Sequence, residues 1–363
     1  MKIEEFKLER WLLKSCEIDV AGGGVTKLKL KDIVTNIHYD QLLNYGATNG
    51  SEILRNRIAD WYPGVKSENV LVTSGTTEAN LLINLHLLEP GDEYVAIYPV
   101  YEQTTGFVKS LGCQVKPFFI EKSKNWQPDI EGLKKRITRN TRILFFDNPN
   151  NPTGACISEQ DMQVICEIAE AAGAYVVCDN ALRGSELDGI PAATPLEYYD
   201  KGIVTGSLSK LGMTGPRIGW LIGNENIVNA CWKFKDYTTL SHSGIGEYLA
   251  TIALEKDNRE RTVKRNLEIS KENLSILSDW IGENSDIFDW IPPQAGFTVF
   301  LKFNAPLDSV EFCSKLLHEE NVLVSPGEYF GLDGHFRLNF GCRKAVMIEV
   351  LSRIKAYVNR LRQ

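Results

Sequence analysis

The strongest constraint on the fold is a run of short, apolar strand-like segments that alternate with helical ones between residues 51 and 210. Residues 51–62 read as a helix, opened by a Ser51 cap with Glu52 in its first turn and stopped before Pro63-Gly64. Val70-Leu71-Val72 is a short strand that runs into Ser74-Gly75-Thr76-Thr77-Glu78 and then an apolar helix over 79–88. The turn Glu89-Pro90-Gly91-Asp92 precedes a strand over 94–97. Strands over 114–120 and 142–146 flank a helix over 129–137, and a helix over 159–172 leads to a strand over 174–178. A further strand over 202–205 runs into Gly206-Ser207-Leu208-Ser209-Lys210. Strands alternating with helices predict a mostly parallel sheet covered by helices on both faces. Polar residues collect where these strands end, the edge at which open α/β sheets hold their ligands.

Beyond residue 245 the pattern changes. A charged helical stretch over 246–280 is followed by a strand over 295–303, a helix over 309–319, strands over 322–324 and 336–340, and a last helix from 344. The chain therefore divides into a large α/β domain over 36–245 and a smaller α+β domain over 246–363. Residues 1–35 form an N-terminal segment, with Phe6, Leu8, Trp11 and Leu12 at helical spacing before the flexible run Ala21-Gly22-Gly23-Gly24. Forty Lys and Arg against 47 Asp and Glu give a net charge of −7, no electrostatic ground for nucleic acid or an anionic membrane as partner. Apolar runs fall short of a membrane span, and the acidic opening does not read as a signal peptide. The eight cysteines are scattered without a Cys-x-x-Cys, which predicts reduced thiols in a cytoplasmic protein with no metal and no disulfide framework.

Five local signals carry chemistry. Ser74-Gly75-Thr76-Thr77 joins a strand to a helix, where backbone N–H groups and hydroxyls can hold a phosphate; the same residues also suit a plain helix cap. Asn150-Asn151-Pro152-Thr153-Gly154 follows a strand directly, and Asp179 ends another. Ser207-Leu208-Ser209-Lys210 is followed seven residues later by Arg217, within Gly215-Pro216-Arg217-Ile218-Gly219. A lone lysine is ordinarily solvated surface, but one flanked by hydroxyls after a buried strand and shortly before an arginine is not. Finally, Arg337 lies inside the apolar strand Phe336-Arg337-Leu338-Asn339-Phe340 and needs an anionic partner there.

In this order the signals resemble the class I/II aminotransferase family, pyridoxal-phosphate enzymes of fold type I, along essentially the whole chain. The resemblance implies pyridoxal 5′-phosphate as cofactor and a free α-amino acid as substrate. It makes Lys210 the residue that joins the cofactor's aldehyde and then moves protons as base and acid. It pairs Asp179 with the pyridine nitrogen, Asn151 with the phenolic oxygen, and stacks Tyr101 on the ring. The phosphate falls to the backbones at Ser74, Gly75 and Thr76 together with Ser207, Ser209 and Arg217. Arg337 would grip the substrate α-carboxylate. Tyr45, in Asn44-Tyr45-Gly46, matches a tyrosine that reaches the phosphate of a neighbouring subunit, which implies a homodimer with shared sites.

Two departures bear on the reaction. Family members usually carry Tyr three residues after the strand-end aspartate, whereas this chain has Leu182, which cannot donate a hydrogen bond. That is either a tolerated loss or a change in cofactor electronics suited to chemistry beyond amino exchange. The segment Glu9-Arg10-Trp11, the loop Gly22-Gly23-Gly24-Val25-Thr26 and Leu30-Lys31-Asp32-Ile33 are similar to a small branch that cyclises hydroxylated arginine, the capreomycidine- and enduracididine-forming enzymes. That resemblance implies Glu9 as the carboxylate for a guanidinium, with Thr26 and Gly24 as further substrate contacts. A flexible lid without such a role, over an enzyme that exchanges amino groups with a 2-oxo acid, is the alternative.

Overall fold

The computed structural model describes residues 2–34 and 40–362, so the expected boundary between residues 35 and 36 lies outside the described residues. In chain order the strands are β1 (Ile18–Asp19), β2 (Val70–Thr73), β3 (Glu93–Tyr98), β4 (Gln114–Phe119), β5 (Thr141–Asp147), β6 (Tyr175–Asp179) and β7 (Gly202–Ser207). They continue with β8 (Gly219–Ile222), β9 (Phe288–Asp289), β10 (Thr298–Phe303), β11 (Val322–Leu323), β12 (Ser325–Pro326) and β13 (His335–Asn339). Seven form one sheet in the order β2-β8-β7-β6-β5-β3-β4, in which β8 runs antiparallel to both of its neighbours. The other pairings are parallel. Side chains alternate between two cores: Val95, Ile97, Leu144 and Phe146 enter one layer, and Tyr94, Ala96, Ile143 and Phe145 the other. Burying each of the branched aliphatic and phenylalanine side chains among these stabilises the fold by about 1.5–3 kcal/mol, so the apolar runs dictate a two-sided sheet. The chain passes from β3 to β4 on one side and from β5 to β6 and β7 on the other, which opens a crevice between β3 and β5 at the carboxyl ends of the strands.

Several elements differ from the sequence reading. Strand β8 was not anticipated, because its residues follow directly on the Gly-Pro-Arg turn and are only four in number. The helices Gln103–Ser110 and Glu225–Lys235 were likewise not anticipated. The stretch expected as one helix over 246–280 is two, Gly244–Ala253 and Lys256–Glu283, because Glu255 between them adopts extended backbone at ψ 137°. The helix expected over 79–88 begins at Thr76, inside the phosphate-type turn.

A second sheet has the order β12-β13-β10-β9, antiparallel throughout. It packs with the helices Ser309–Glu320 and Lys344–Leu361 around Phe303, Phe312, Phe336 and Tyr357, with Phe303 stacked on Phe312 at 4.3 Å. The N-terminal segment belongs to this core. Strand β1 pairs with β11, Trp11 Nε1 donates to the Val324 carbonyl at 2.7 Å, and Val20 and Ala21 are buried beside them. The run Ala21-Gly22-Gly23-Gly24, expected to be flexible, is tied down: Asn339 Nδ2 donates to the carbonyls of Gly22 and Gly24, each at 2.6 Å. Among the described residues no helix is long and apolar enough to cross a membrane, and all eight cysteines are free thiols.

Candidate active site

The polar strand ends meet at one cavity of about 500 Å³, walled by Thr76, Asn80, Tyr101, Asn151, Asp179 and Lys210 among others. A larger surface groove of about 740 Å³, beside Trp126 and Cys156, shares none of these side chains.

At one end, β2 turns into the helix Thr76–Leu87 through Gly75, which sits at φ +84°. A Cβ there would lie 2.7 Å from the movable end of the Arg217 side chain, so it is the left-handed backbone rather than space that calls for glycine. The first amides of this helix open on the cavity beside Thr76, Thr77, Ser207, Ser209 and Arg217. Arg217 holds left-handed backbone at φ +55° and donates to the Ser74 carbonyl at 3.3 Å. Ser74 itself stands behind the wall. Its N–H donates to Glu78 Oε2 at 2.6 Å, and Glu78 Oε1 accepts from the hydroxyls of Thr238 and Thr239 at 2.7 and 2.6 Å. The phosphate-type end is thus cationic and rich in donors, held from behind by a buried carboxylate.

Opposite lies a carboxyl floor. Asp179 accepts from Asn80 Nδ2 and from the Ala181 N–H, both at 3.0 Å. Thr205 orients the Asn80 amide by donating to its Oδ1 at 3.1 Å. Burial raises the Asp179 carboxyl above its ordinary value, against the pull of Asn80, Ala181 and Lys210. A cation brought to this floor therefore finds a desolvated, fixed acceptor. Asn80 escaped the sequence reading, although its spacing of four from Thr76 places both on one helix face. Asp147 and Gln103, also on the wall, escaped it too, whereas Thr77 of the expected phosphate turn is on the wall as well.

Lys210 follows β7 and faces this floor. Its amine is crowded by protein atoms although the residue still opens on the cavity. Burial first, then the Arg337 and Lys27 charges, push it down from 10.5 to about 8, with Asp179 and Glu9 acting the other way. Arg337 in β13 is fully buried. It donates through Nη1 to Asn151 Oδ1 at 2.9 Å and through Nη2 to the Ala21 carbonyl, while its Nε has no partner among the described residues. Burial holds the guanidinium down at about 10. Gly23 separates the two cations: a Cβ there would lie 3.2 Å from Lys210 Nζ and 3.3 Å from Arg337 Nη1. An orphaned donor on a buried cation calls for an anion.

The N-terminal helix Lys7–Trp11 brings Phe6 and half-buried Glu9 onto the cavity wall. The Tyr101 hydroxyl donates to Glu9 Oε1 at 2.5 Å, and Phe6 packs edge-on to the Tyr101 ring at 5.0 Å. Burial and the Glu9 contact both raise the Tyr101 phenol, so it stays protonated. Gly24 lies against Lys210, with its Cβ position 3.9 Å from Lys210 Cδ. Thr26 is not brought to the wall: its hydroxyl donates to the Gly341 carbonyl at 3.0 Å. Leu182 lines the cavity and packs with Val25 and Phe297, so apolar contact replaces a donor there. Tyr45 is not on its own chain's cavity; the residue is 71% exposed, and Ser241 fixes its carbonyl at 2.6 Å.

A mostly parallel sheet with a reversed neighbouring strand, a smaller antiparallel unit, and a strand-end lysine facing a strand-end aspartate define fold type I of the pyridoxal-phosphate enzymes. The helix amides with Arg217, the Asp179 carboxyl and the low-pKa Lys210 amine fit that cofactor's phosphate, ring nitrogen and aldehyde in turn. Residues 25–354 match the class I and II aminotransferases, and the chain belongs to that family of pyridoxal 5′-phosphate enzymes. Capreomycidine synthase of Streptomyces vinaceus is 28% identical over 347 residues, 92% of this chain and 89% of that protein. A solved PLP-dependent aminotransferase from Streptococcus suis 89-1591 is similar at 34% identity and a TM-score of 0.93 over 99% of both chains. The solved PLP-dependent cyclase OrfR is similar at 25% identity and a TM-score of 0.91, over 99% of this chain and 98% of its own.

Proposed function

We propose that this enzyme cyclodehydrates a hydroxylated L-arginine to a cyclic guanidino amino acid, acting as a cytoplasmic homodimer in which Tyr45 completes the partner's phosphate site. The observation that carries this reading is the Glu9 carboxylate on the cavity wall, held by the Tyr101 hydroxyl at 2.5 Å. A carboxylate in that place favours a cationic side chain, and a guanidinium matches it with two parallel N–H donors. The similarity to capreomycidine synthase and to the PLP-dependent cyclase OrfR supports the same reading.

Each residue then has a task. Arg337, with Nε free, binds the α-carboxylate as a fork. Lys210 takes the proton from the α-carbon, and its value of about 8 lets it serve as base and then as acid near neutral pH. The bound cofactor supplies an electron sink for the pair left at that carbon. Lys210 passes a proton to the departing hydroxyl, which leaves as water. A guanidino nitrogen bonds to the carbon that lost the hydroxyl and gives up its own proton, and Lys210 returns a proton to the α-carbon, so the net change is loss of one water. Glu9 holds the guanidinium folded toward that carbon, acting by position. The pinned loop over Gly22, Gly23 and Gly24 shields the site from water while the intermediate lasts.

A second reading is amino exchange with a 2-oxo acid. It is favoured by the similarity to the PLP-dependent aminotransferase of Streptococcus suis, at 34% identity. Incubating pure holoenzyme with β- or γ-hydroxyarginine and no 2-oxo acid separates the two. A product lighter by one water, with the amino group retained, supports cyclisation. Turnover that requires a 2-oxo acid in stoichiometric amount overturns it.

A further inference from the structure

Two carboxyl groups lie side by side on the cavity floor, and the chemistry above uses one of them. Asp147 ends β5 and Asp179 ends β6, and the parallel register sets them directly opposite each other. Neighbouring strands run roughly 4.8 Å apart, so two side chains in register share one face and one environment. Both line the cavity, and Asp147 is only 7% exposed.

Their surroundings are unequal. Asp179 has two well-made donors, Asn80 and the Ala181 N–H. Asp147 faces the backbone N–H groups of Tyr101 and Asn151, and its Oδ2 is buried without a hydrogen-bond partner. The titratable groups around it are Asp179 and Cys178 from β6, Tyr94 from β3, and Lys210. Only Lys210 among these can be positive. Two adjacent buried carboxyls with so little cationic support do not both ionise, and the one with poorer donors keeps the proton.

We propose that Asp147 is a positioning residue that carries the proton of an Asp147–Asp179 pair, leaving Asp179 as the single negative charge presented to the cofactor's ring nitrogen. Burial and then the Asp179 charge act in the same direction, holding the Asp147 carboxyl well above the carboxylate range. In this state Asp147 also stands between the two segments that bear Tyr101 and Asn151, the residues assigned to the ring face and the phenolic oxygen. When alkaline pH removes its proton to solvent, a second negative charge arises next to Asp179 and Lys210. The proton affinity of nitrogen atoms near the floor then rises, and the absorbance of the bound cofactor titrates in an additional alkaline step.

The proposal rests on cofactor binding and not on which reaction follows, so its test needs no substrate. Infrared difference spectra of apo-protein across acid and alkaline pH should show a buried protonated carboxyl at pH 7 in the wild type. Asp147→Asn, neutral and nearly isosteric, should lose that band. Its holoenzyme should lose the alkaline step of the cofactor absorbance titration while cofactor affinity at pH 7 is kept. Wild-type apo-protein without a protonated carboxyl at pH 7 overturns the proposal even if the variant fails to fold. So does a band or an alkaline step that persists in Asp147→Asn.

Discussion

The amine of Lys210 should react at neutral pH far faster than an ordinary lysine, and Arg337 should be a cause of that. A fall from 10.5 to about 8 increases the unprotonated fraction at pH 7 about 300-fold, to roughly one molecule in eleven. Mixing apo-protein with limiting pyridoxal 5′-phosphate and following cofactor absorbance reads this fraction, because only the free amine attacks an aldehyde. The rate should rise about tenfold per pH unit and level off near pH 8. Burial is the larger cause of the shift and the Arg337 charge the next. Arg337→Gln should therefore move the inflection upward and slow the reaction at pH 7, with the plateau rate at high pH retained. The same shift has a stability consequence of fixed sign. The folded-state value lies below the unfolded one, so between about pH 8 and 10.5 the unfolded chain binds more protons at this site. The destabilisation from Lys210, on the order of 3 kcal/mol, is therefore full below about pH 8 and fades as pH rises through that window. A wild-type inflection near pH 10, or one that moves down in Arg337→Gln, would refute the reasoning.

Two further predictions concern the substrate and the assembly. Glu9→Gln keeps the shape of the Tyr101 contact but removes the charge facing a guanidinium; kcat/KM for hydroxyarginine should fall roughly 10- to 100-fold, about 1.5–3 kcal/mol, with cofactor absorbance unchanged. A change smaller than about threefold would move guanidinium binding elsewhere. If Tyr45 reaches the partner's phosphate, mixed dimers of Tyr45→Phe and Lys210→Ala subunits contain one intact site and should recover activity that neither variant has alone. Mixtures no more active than Tyr45→Phe dimers would refute shared sites.

Much of the site was legible in the chain before any packing was known. Lys210, Asp179 and Asn151 each stand at the end of an apolar strand or in the turn that follows it, and Arg217 stands just ahead of the short strand β8. Such positions are marked by an abrupt change from buried apolar residues to polar ones, which is a local property. Asn80 and Asp147 were less visible because each looks ordinary where it stands, an amide within a helix and an acid at a strand end. Their meaning lies in contacts with Asp179, 99 residues away for Asn80 and one strand over for Asp147. Thr26 went the other way: a hydroxyl that seemed free in a glycine-rich loop bonds to the carbonyl of Gly341.

The alternation of the main strands and helices, the two-sided sheet and the residues at its carboxyl edge were determined by the chain's own patterning, because burial follows a period of two in strands and 3.6 in helices. Closure was not. The path from residue 9 to Tyr101, and the position of Gly23 between Lys210 and Arg337, depend on β1 pairing with β11 and on Trp11 and Ala21 entering the small core. Those pairings join segments about 300 residues apart. A glycine run shows only freedom when read along the chain; the Asn339 amide, arriving from the far end, decides that this one is held over the site. Periodicity belongs to neighbours in the chain, whereas the charge, the donors and the dryness that set Lys210 and Asp147 come from atoms that only tertiary packing brings near.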